Sequence, residues 1–406
     1  MFRSLRVGGA LAAGLMIVAA GGAQSASRVL AAPGSVPRPV AAAWLEGVSA
    51  TSGRNVWAVG AFGRDYGKNG VAHGAEPLIA HWNGRSWTTT RIGLRNFKGY
   101  YGYFAGVAAT SATSAWAAGG LLTQYAWPWI DQWDGTAWKQ DLTPIVGPDD
   151  GTSDLSGVAA ASRGSAWAVG DYYAGPGEDA DLTLILRWSG TRWRRVPSPN
   201  PAGAGSGARN ALRGVAAQSP ADAWAVGAAN SGPSGQRSTL IEHWDGAAWT
   251  AVPSPDPSLA GCVRDELLGV AASPAATWAV GDYCGAALVL RLEDGQWQQV
   301  PAPRPPAGLS ENLASVAVTS ATNAWTVGSV GSRVLILRWN GKEWATAHAP
   351  DPAGATSAKL AGVTAVSRSS AWAVGQADYP GHVIRLLIER WNGTRWTLVS
   401  VPNPPG

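Results

Sequence analysis

Cysteine is nearly absent, with two in 406 residues. They are not arranged as Cys-x-x-Cys, which removes the usual thiol redox and thiolate–metal motifs. Charge is sparse as well. Only 14% of residues are Asp, Glu, Lys or Arg, and the formal net charge is +4. No basic block is present, so the chain lacks the footprint of a nucleic-acid or anionic-lipid binder. Histidine occurs five times. His81 and His243 share a position filled in other parts of the chain by Gln132, Arg187, Arg291, Arg338 and Arg390, which marks them as structural. His73, His348 and His382 are scattered. There is no Gly-x-Ser-x-Gly elbow, no His-Glu-x-x-His and no phosphate-binding Gly-Lys-Ser/Thr. Neither a metal nor a cofactor is therefore expected. Apolar runs long enough for good helices are missing from the body of the chain, and phenylalanine is rare: 4 Phe against 23 Trp.

What is abundant is repetition. Ala-Trp-Ala-Val-Gly or a close variant occurs seven times, at Trp57, Trp116, Trp167, Trp224, Trp278, Trp325 and Trp372. A period near fifty residues signals one supersecondary unit copied until the copies bury each other. Each copy has four short apolar segments bounded by Gly, Pro, Asn, Asp and Ser, which predicts strands. The first reads Gly-Val-Ala-Ala, as at Gly157–Ala160, and the second ends in Trp-Ala-Val-Gly. The third ends in a Trp, and the fourth opens with one five residues later, as Trp82 and Trp87 do around Asn-Gly-Arg-Ser. That spacing predicts a tight hairpin with facing indoles. In the fifth copy Leu292 replaces the first Trp and Asp294-Gly295 centres the turn. The prediction is an all-β chain: a seven-bladed β-propeller of four-stranded antiparallel blades, over approximately 44–91, 104–142, 155–197, 212–253, 267–301, 313–349 and 360–402.

This order of segments resembles the kelch repeat. Gly157–Ala160, Trp167–Gly170, Leu184–Trp188 and Trp193–Val196 match its inner strand, glycine-ending strand, aromatic strand and Trp-opened strand. The Gly-Gly doublet of that family is reproduced only at Gly119-Gly120. The resemblance implies a blade plan. It also brings to mind the copper site of the galactose-oxidase propeller, but no residues here match those ligands.

Residues 1–32 read as signal peptide and linker. Arg3 and Arg6 precede an uncharged stretch, Val7 to Ala23, and Ala23-Gln24-Ser25 offers a cleavage site. An uncleaved anchor is the alternative. Residues 33–406 then form a single domain with no further membrane span. Cys262 and Cys284 flank the first two strands of the fifth copy, and in an exported chain they are expected to form a disulfide. Val36-Pro37-Arg38-Pro39 echoes the end of other repeats and could clasp a ring that otherwise closes by side-chain packing.

The connections alternate between two sides of such a blade. Those between first and second and between third and fourth segments are short. Those between second and third, and between copies, are long and irregular. The tyrosines fall with the long class: Tyr66, Tyr100, Tyr101, Tyr103, Tyr125, Tyr172, Tyr173, Tyr283 and Tyr379, with Trp127 alongside. Asp171 and Asp282 join them. Long loops on a rigid scaffold are the usual place for binding. The expected function is an exported, monomeric, non-catalytic binding module for an extracellular glycan or protein. The alternative is a carbohydrate-active enzyme, a glycosidase or galactose-oxidase-like protein, using loop carboxylates on the same side. Asp149-Asp150-Gly-Thr-Ser-Asp154 contains clustered oxygens that calcium favours, but reads as a solvated turn.

Overall fold

The structure is a computed structural model that describes residues 42–63, 65–66, 72–73, 75–93, 101–123, 125–141, 143–144, 146–147, 152–175, 178–230, 236–255, 257 and 265–402. The expected signal peptide, the 36–39 clasp, Tyr100 and Cys262 lie outside them. Pro39–Gly406 form one compact unit. Among the described residues there is no helix; every regular element is a strand.

The strands pair into three four-stranded sheets, two eight-stranded sheets and a two-stranded ribbon. Each eight-stranded sheet is two four-stranded antiparallel runs that meet at a single parallel pair, Ala42 with Ile384 and Asp181 with Arg209. We number these four-stranded runs 1 to 7 in chain order. Their first strands are Ala42–Ser52, Tyr101–Ser111, Ser153–Ser162, Arg209–Ser219, Asp265–Ser273, Glu311–Ser320 and Ser357–Ser367. Their second strands are Asn55–Gly63, Ser114–Leu122, Ser165–Tyr173, Asp222–Asn230, Ala276–Tyr283, Asn323–Val330 and Ser370–Tyr379. The third strands end, and the fourth begin, at the paired aromatics. Trp82 lies directly opposite Trp87, and Trp391 opposite Trp396. Gly84 has a φ of 96°, which the tight turn requires, and the Asn83 Oδ1 accepts from the N–H groups of Arg85 and Ser86. Run 5 turns through Asp294 and Gly295 instead, with Glu293 opposite Gln296.

The first strands start earlier than the apolar pattern suggests. Each carries a β-bulge near its middle, as between Leu45 and Gly47 or Leu155 and Gly157. A bulge inserts one residue and breaks the period of two, so the segment before it does not alternate in step with the segment after it. The bulge also explains the repeat glycine of the second strand. A Cβ on Gly60, Gly119, Gly170, Gly227, Gly281, Gly328 or Gly375 would lie 1.8–2.1 Å from a first-strand carbonyl oxygen. The inner glycines form a second constraint. A Cβ on Gly47, Gly106, Gly157, Gly214, Gly269 or Gly362 would come within 2.9–3.2 Å of the backbone of the next run, and from Gly362 that next run is run 1. In run 6 Ser315 takes this place, and its hydroxyl accepts from the Val363 N–H at 3.3 Å.

The core lies between runs. The second-strand Trp of a run packs on the aromatic pair of the next: Trp57 on Trp133 and Trp138, Trp167 on Trp244 and Trp249, Trp325 on Trp391 and Trp396; Trp224 meets Trp297 alone, because run 5 has Leu292 in place of the other indole. Trp372, in the last run, packs on Trp82 and Trp87 of the first. Burying one indole in this way stabilises by about 4 kcal/mol before ordering costs. The third-strand cation position caps the same ring: Arg187, Arg291, Arg338 and Arg390 lie 5.0–5.2 Å over their second-strand indoles. His81 and His243 stack there at 3.9 and 4.1 Å, as their shared repeat position implied. The third-strand indole N–H, as in Trp133 and Trp339, donates to a carbonyl in the turn between first and second strands. This cross-tie places the two short connections at the same end. The long connections are at the other.

Candidate functional site

The end of the first strands that points toward the long connections is where charge concentrates. One column of the repeat, just before the bulge, holds Trp44, Tyr103, Asp154, Ala211, Glu266, Asn312 and Lys359. The bulged residue itself is Glu46 in run 1 and Arg213 in run 4. Across the sheet Asp154 stands opposite Asp171, and Glu266 opposite Asp282. Two like charges facing each other on neighbouring strands repel. Arg213 compensates them: its guanidinium donates to Asp171 at 3.1 Å and to Glu266 at 2.7 Å. Arg237 adds a bond to Glu266 at 2.8 Å. On the other flank the Tyr103 hydroxyl donates to Asp154. Asn312 donates to Asp282 at 3.1 Å. The Coulomb field of Lys359 reaches Glu46. A belt of polar contacts thus links runs 2 to 6 in turn at this end of the first strands, which we call the mouth.

Burial sets the protonation states. It pushes the Asp154 carboxyl up to about 6, against the hydrogen bond from Tyr103. It raises Asp171 too, opposed by Arg213. Burial pulls the Arg213 guanidinium down, but Asp171 and Glu266 outweigh it and hold the cation charged. Burial and the charge of Asp154 push the Tyr103 phenol well above its ordinary value. Next to this belt is an aromatic cluster, with Trp44 buried and Tyr101 and Tyr103 partly buried against it. Trp44 stacks on Tyr101 at 6.5 Å and 20°, and Tyr101 meets Tyr103 at 5.6 Å.

The expected residues divide. Tyr101, Tyr103 and Asp171 come together at the mouth, with Asp282 two runs farther on. Tyr101 and Tyr103 belong to a first strand, not a loop. Tyr172, Tyr173, Tyr283 and Tyr379 end second strands. Of these, Tyr172 is buried between runs, under Arg195 at 4.3 Å. Tyr283 and Tyr379 pack against inter-run cores, and the Tyr173 hydroxyl reaches Asp179 at 3.5 Å. Tyr125 meets Trp127 edge-on at 6.5 Å, away from the belt. The Tyr66 backbone pairs with Ala72. Asp154, expected in a solvated turn, is a strand residue of the belt. Trp44, Arg213, Arg237 and Glu266 were not anticipated. The signal for most of them was the one column that varies from copy to copy beside an almost constant glycine.

Among the described residues no group of His, Cys, Asp and Glu is placed to hold a metal ion. Among the described residues no helix is long and apolar enough to cross a membrane. No protein-family model matches the chain. No curated protein matches it either. Solved structures do. Pyrococcus horikoshii acylaminoacyl peptidase is similar at 8% identity and TM-score 0.51, over 88% of this chain and 52% of the peptidase, so the chain spans about half that protein's length. The Aleuria aurantia lectin, described as a six-bladed β-propeller with a fucose recognition mode, is similar at 14% identity and TM-score 0.42, over 91% and 98%. Trypanosoma rangeli sialidase in complex with sialic acid is similar at 11% and 0.43, over 84% and 53%. At 8% identity the likeness to the peptidase concerns fold alone. The fold is a β-propeller.

Proposed function

We propose that the chain is an exported, kelch-like, seven-bladed propeller that binds an extracellular glycan at the mouth described above, as a monomer and without turning it over. The blade number rests on the seven runs and on their packing, which returns from Gly362 and Trp372 to Gly47, Trp82 and Trp87. In this reading residues 33–406 are the propeller, with blades near the expected bounds, and residues 1–32 are removed on export. Cys284 is disulfide-bonded. Cys262 is the only other cysteine in the sequence and is its proposed partner, in keeping with an oxidising compartment.

One observation carries the binding assignment: the partly exposed Tyr101, backed by the buried Trp44, adjoins a belt of carboxylates and guanidinium groups. Sugar rings offer an apolar face to aromatic side chains and hydroxyls to charged acceptors and donors. The same belt speaks against hydrolysis. A glycosidase needs one carboxyl group as acid and another as base or nucleophile. Here Asp171 and Glu266 are bound to Arg213, and Asp154 to Tyr103. The test is a glycan array on the purified mature chain, followed by calorimetric titration of the hits. Tyr101→Ala is expected to weaken binding at least tenfold with the melting temperature almost unchanged. Undiminished affinity in Tyr101→Ala, or new reducing ends appearing in the bound glycan, would overturn the assignment.

A further inference from the structure

A second site lies at the opposite end, beside the short turns. The outer interface between runs 6 and 7 opens into a groove of about 660 Å3, within the range of small-molecule sites. Trp325, Trp391 and Trp396 line it together with Arg338, Asn340 and His348. The sequence explains why it opens here. In and just after the fourth strand of run 6, Trp344–Thr346, stand Ala345 and Ala347. At the first of these positions the other runs have Thr88, Lys139, Arg194, Thr250, Gln298 and Thr397; at the second, four of them have Val196, Val252, Val300 and Val399. Those valines pack into the neighbouring interfaces. Run 6 lacks the valine that packs at this place in four other runs.

The groove is also one-signed. Arg338, Arg395 and His348 line it, and no lining residue is acidic. The Arg338 guanidinium lies over Trp325 and Trp391 at 5.0 and 5.3 Å and donates to Asn323 Oδ1 at 3.2 Å. Among the described residues no carboxylate pairs with it, as with Arg187 and Arg390, whereas Arg291 at the same repeat position is paired with Glu293 at 2.9 Å. Two acids are nearby. Glu389 is fully buried in the same interface, and burial pushes its carboxyl up to about 8, so it is mostly uncharged at neutral pH. Asp351 faces Arg333 at 3.7 Å.

We propose that this groove binds a carboxylated sugar, a hexuronate unit of a glycan, with the ring against the apolar lining of Ala345, Ala347 and Leu398 and the carboxylate on Arg338. A planar, permanently charged fork over aromatic faces suits a carboxylate. The site is independent of the mouth.

The test uses the full mature chain and two probes that differ only in the carboxylate: methyl β-glucuronide and methyl β-glucoside, titrated by calorimetry. The glucuronide is expected to bind at least tenfold more tightly. Ala345→Gln with Ala347→Val restores the side chains of run 5 and should abolish that binding at unchanged melting temperature. Arg338→Gln should bring the two probes to the same affinity, which decides the matter even if the double variant folds poorly. Tyr101→Ala, at the mouth, should leave glucuronide binding intact. No glucuronide binding, equal binding of the two probes, or full binding in a folded Ala345→Gln/Ala347→Val variant overturns the proposal.

Discussion

A methyl group on Gly227 would lie 1.9 Å from the carbonyl oxygen of Ala211, inside the bulge of run 4. Backbone cannot yield as a side-chain tip can. Gly227→Ala is therefore expected to destabilise by more than about 2 kcal/mol. Gly164→Ala, in an open turn where the nearest atom is the Ser162 Oγ at 4.0 Å, should change stability by less than about 0.5 kcal/mol. Urea unfolding of the two variants checks the contrast, and equal midpoints would refute it. Glu242 and Glu389 make a different residue-scale prediction. Both are fully buried with no hydrogen-bond partner for either oxygen. Burial pushes both carboxyls from 4.5 up to about 8. Below pH 4.5 each is protonated folded and unfolded, and costs nothing through ionisation. Between 4.5 and about 8 only the unfolded chain releases the proton, so stability falls as pH rises, and above 8 the loss is constant. Glu242→Gln and Glu389→Gln should each raise stability at pH 8 by a few kcal/mol, to order of magnitude, and hardly at all at pH 4. Thermal melts at the two pH values would show it; a gain that is the same at both would count against the buried acids.

At the scale of the element, the four strands are held by a recurrent tie. The third-strand indole crosses to the turn between the first two strands, as Trp339 does to the Ala321 carbonyl at 3.0 Å. Run 5 lacks the tie because Leu292 replaces the indole, and it still folds. Trp339→Leu should accordingly keep the fold while costing about 3 kcal/mol in lost packing and one hydrogen bond. Far-UV circular dichroism with urea titration tests both halves, and loss of the sheet signal would show the indole to be required. These elements were legible in the sequence because Trp, Gly and the turn residues recur with a fixed order. Trp82 and Trp87 had to face each other, and the hairpin of run 5 could be read from Asp294-Gly295. The first halves of the inner strands were not legible. The bulge at each one shifts the alternation, so Tyr101 and Tyr103 looked like loop residues and Asp154 like part of a turn. The belt was hidden for a further reason. Asp171, Arg213 and Glu266 come from three consecutive repeats, and only the closeness of the inner strands at Gly157, Gly214 and Gly269 brings them within bonding distance.

For the whole molecule, the proposed ring gives every run a neighbour on both sides, including the last run and the first. Gly362 touches the backbone at Glu46, and Trp372 rests on Trp82 and Trp87. In an open stack of repeats, stability is roughly a sum over units and neighbours, and removing an end unit leaves the others standing. A closed ring behaves differently. Deleting run 7, from Ser357 onward, removes the interface of run 6 through Trp325, Val327 and Ile336. It also removes the interface of run 1 through Leu45, Val56, Trp82 and Trp87. Both apolar faces would be left in water at once, and faces of this size drive association. The shortened chain is expected to aggregate or to lose the near-ultraviolet dichroism of its packed indoles. A soluble monomer with a single cooperative melt and intact aromatic dichroism would mean that the last run does not close on the first. Trp372→Ala provides the finer measurement. In a ring it should lower stability about as much as Trp325→Ala, because each indole is fully buried against the aromatic pair of the following run. In a stack held open at that point, Trp372→Ala would be close to silent.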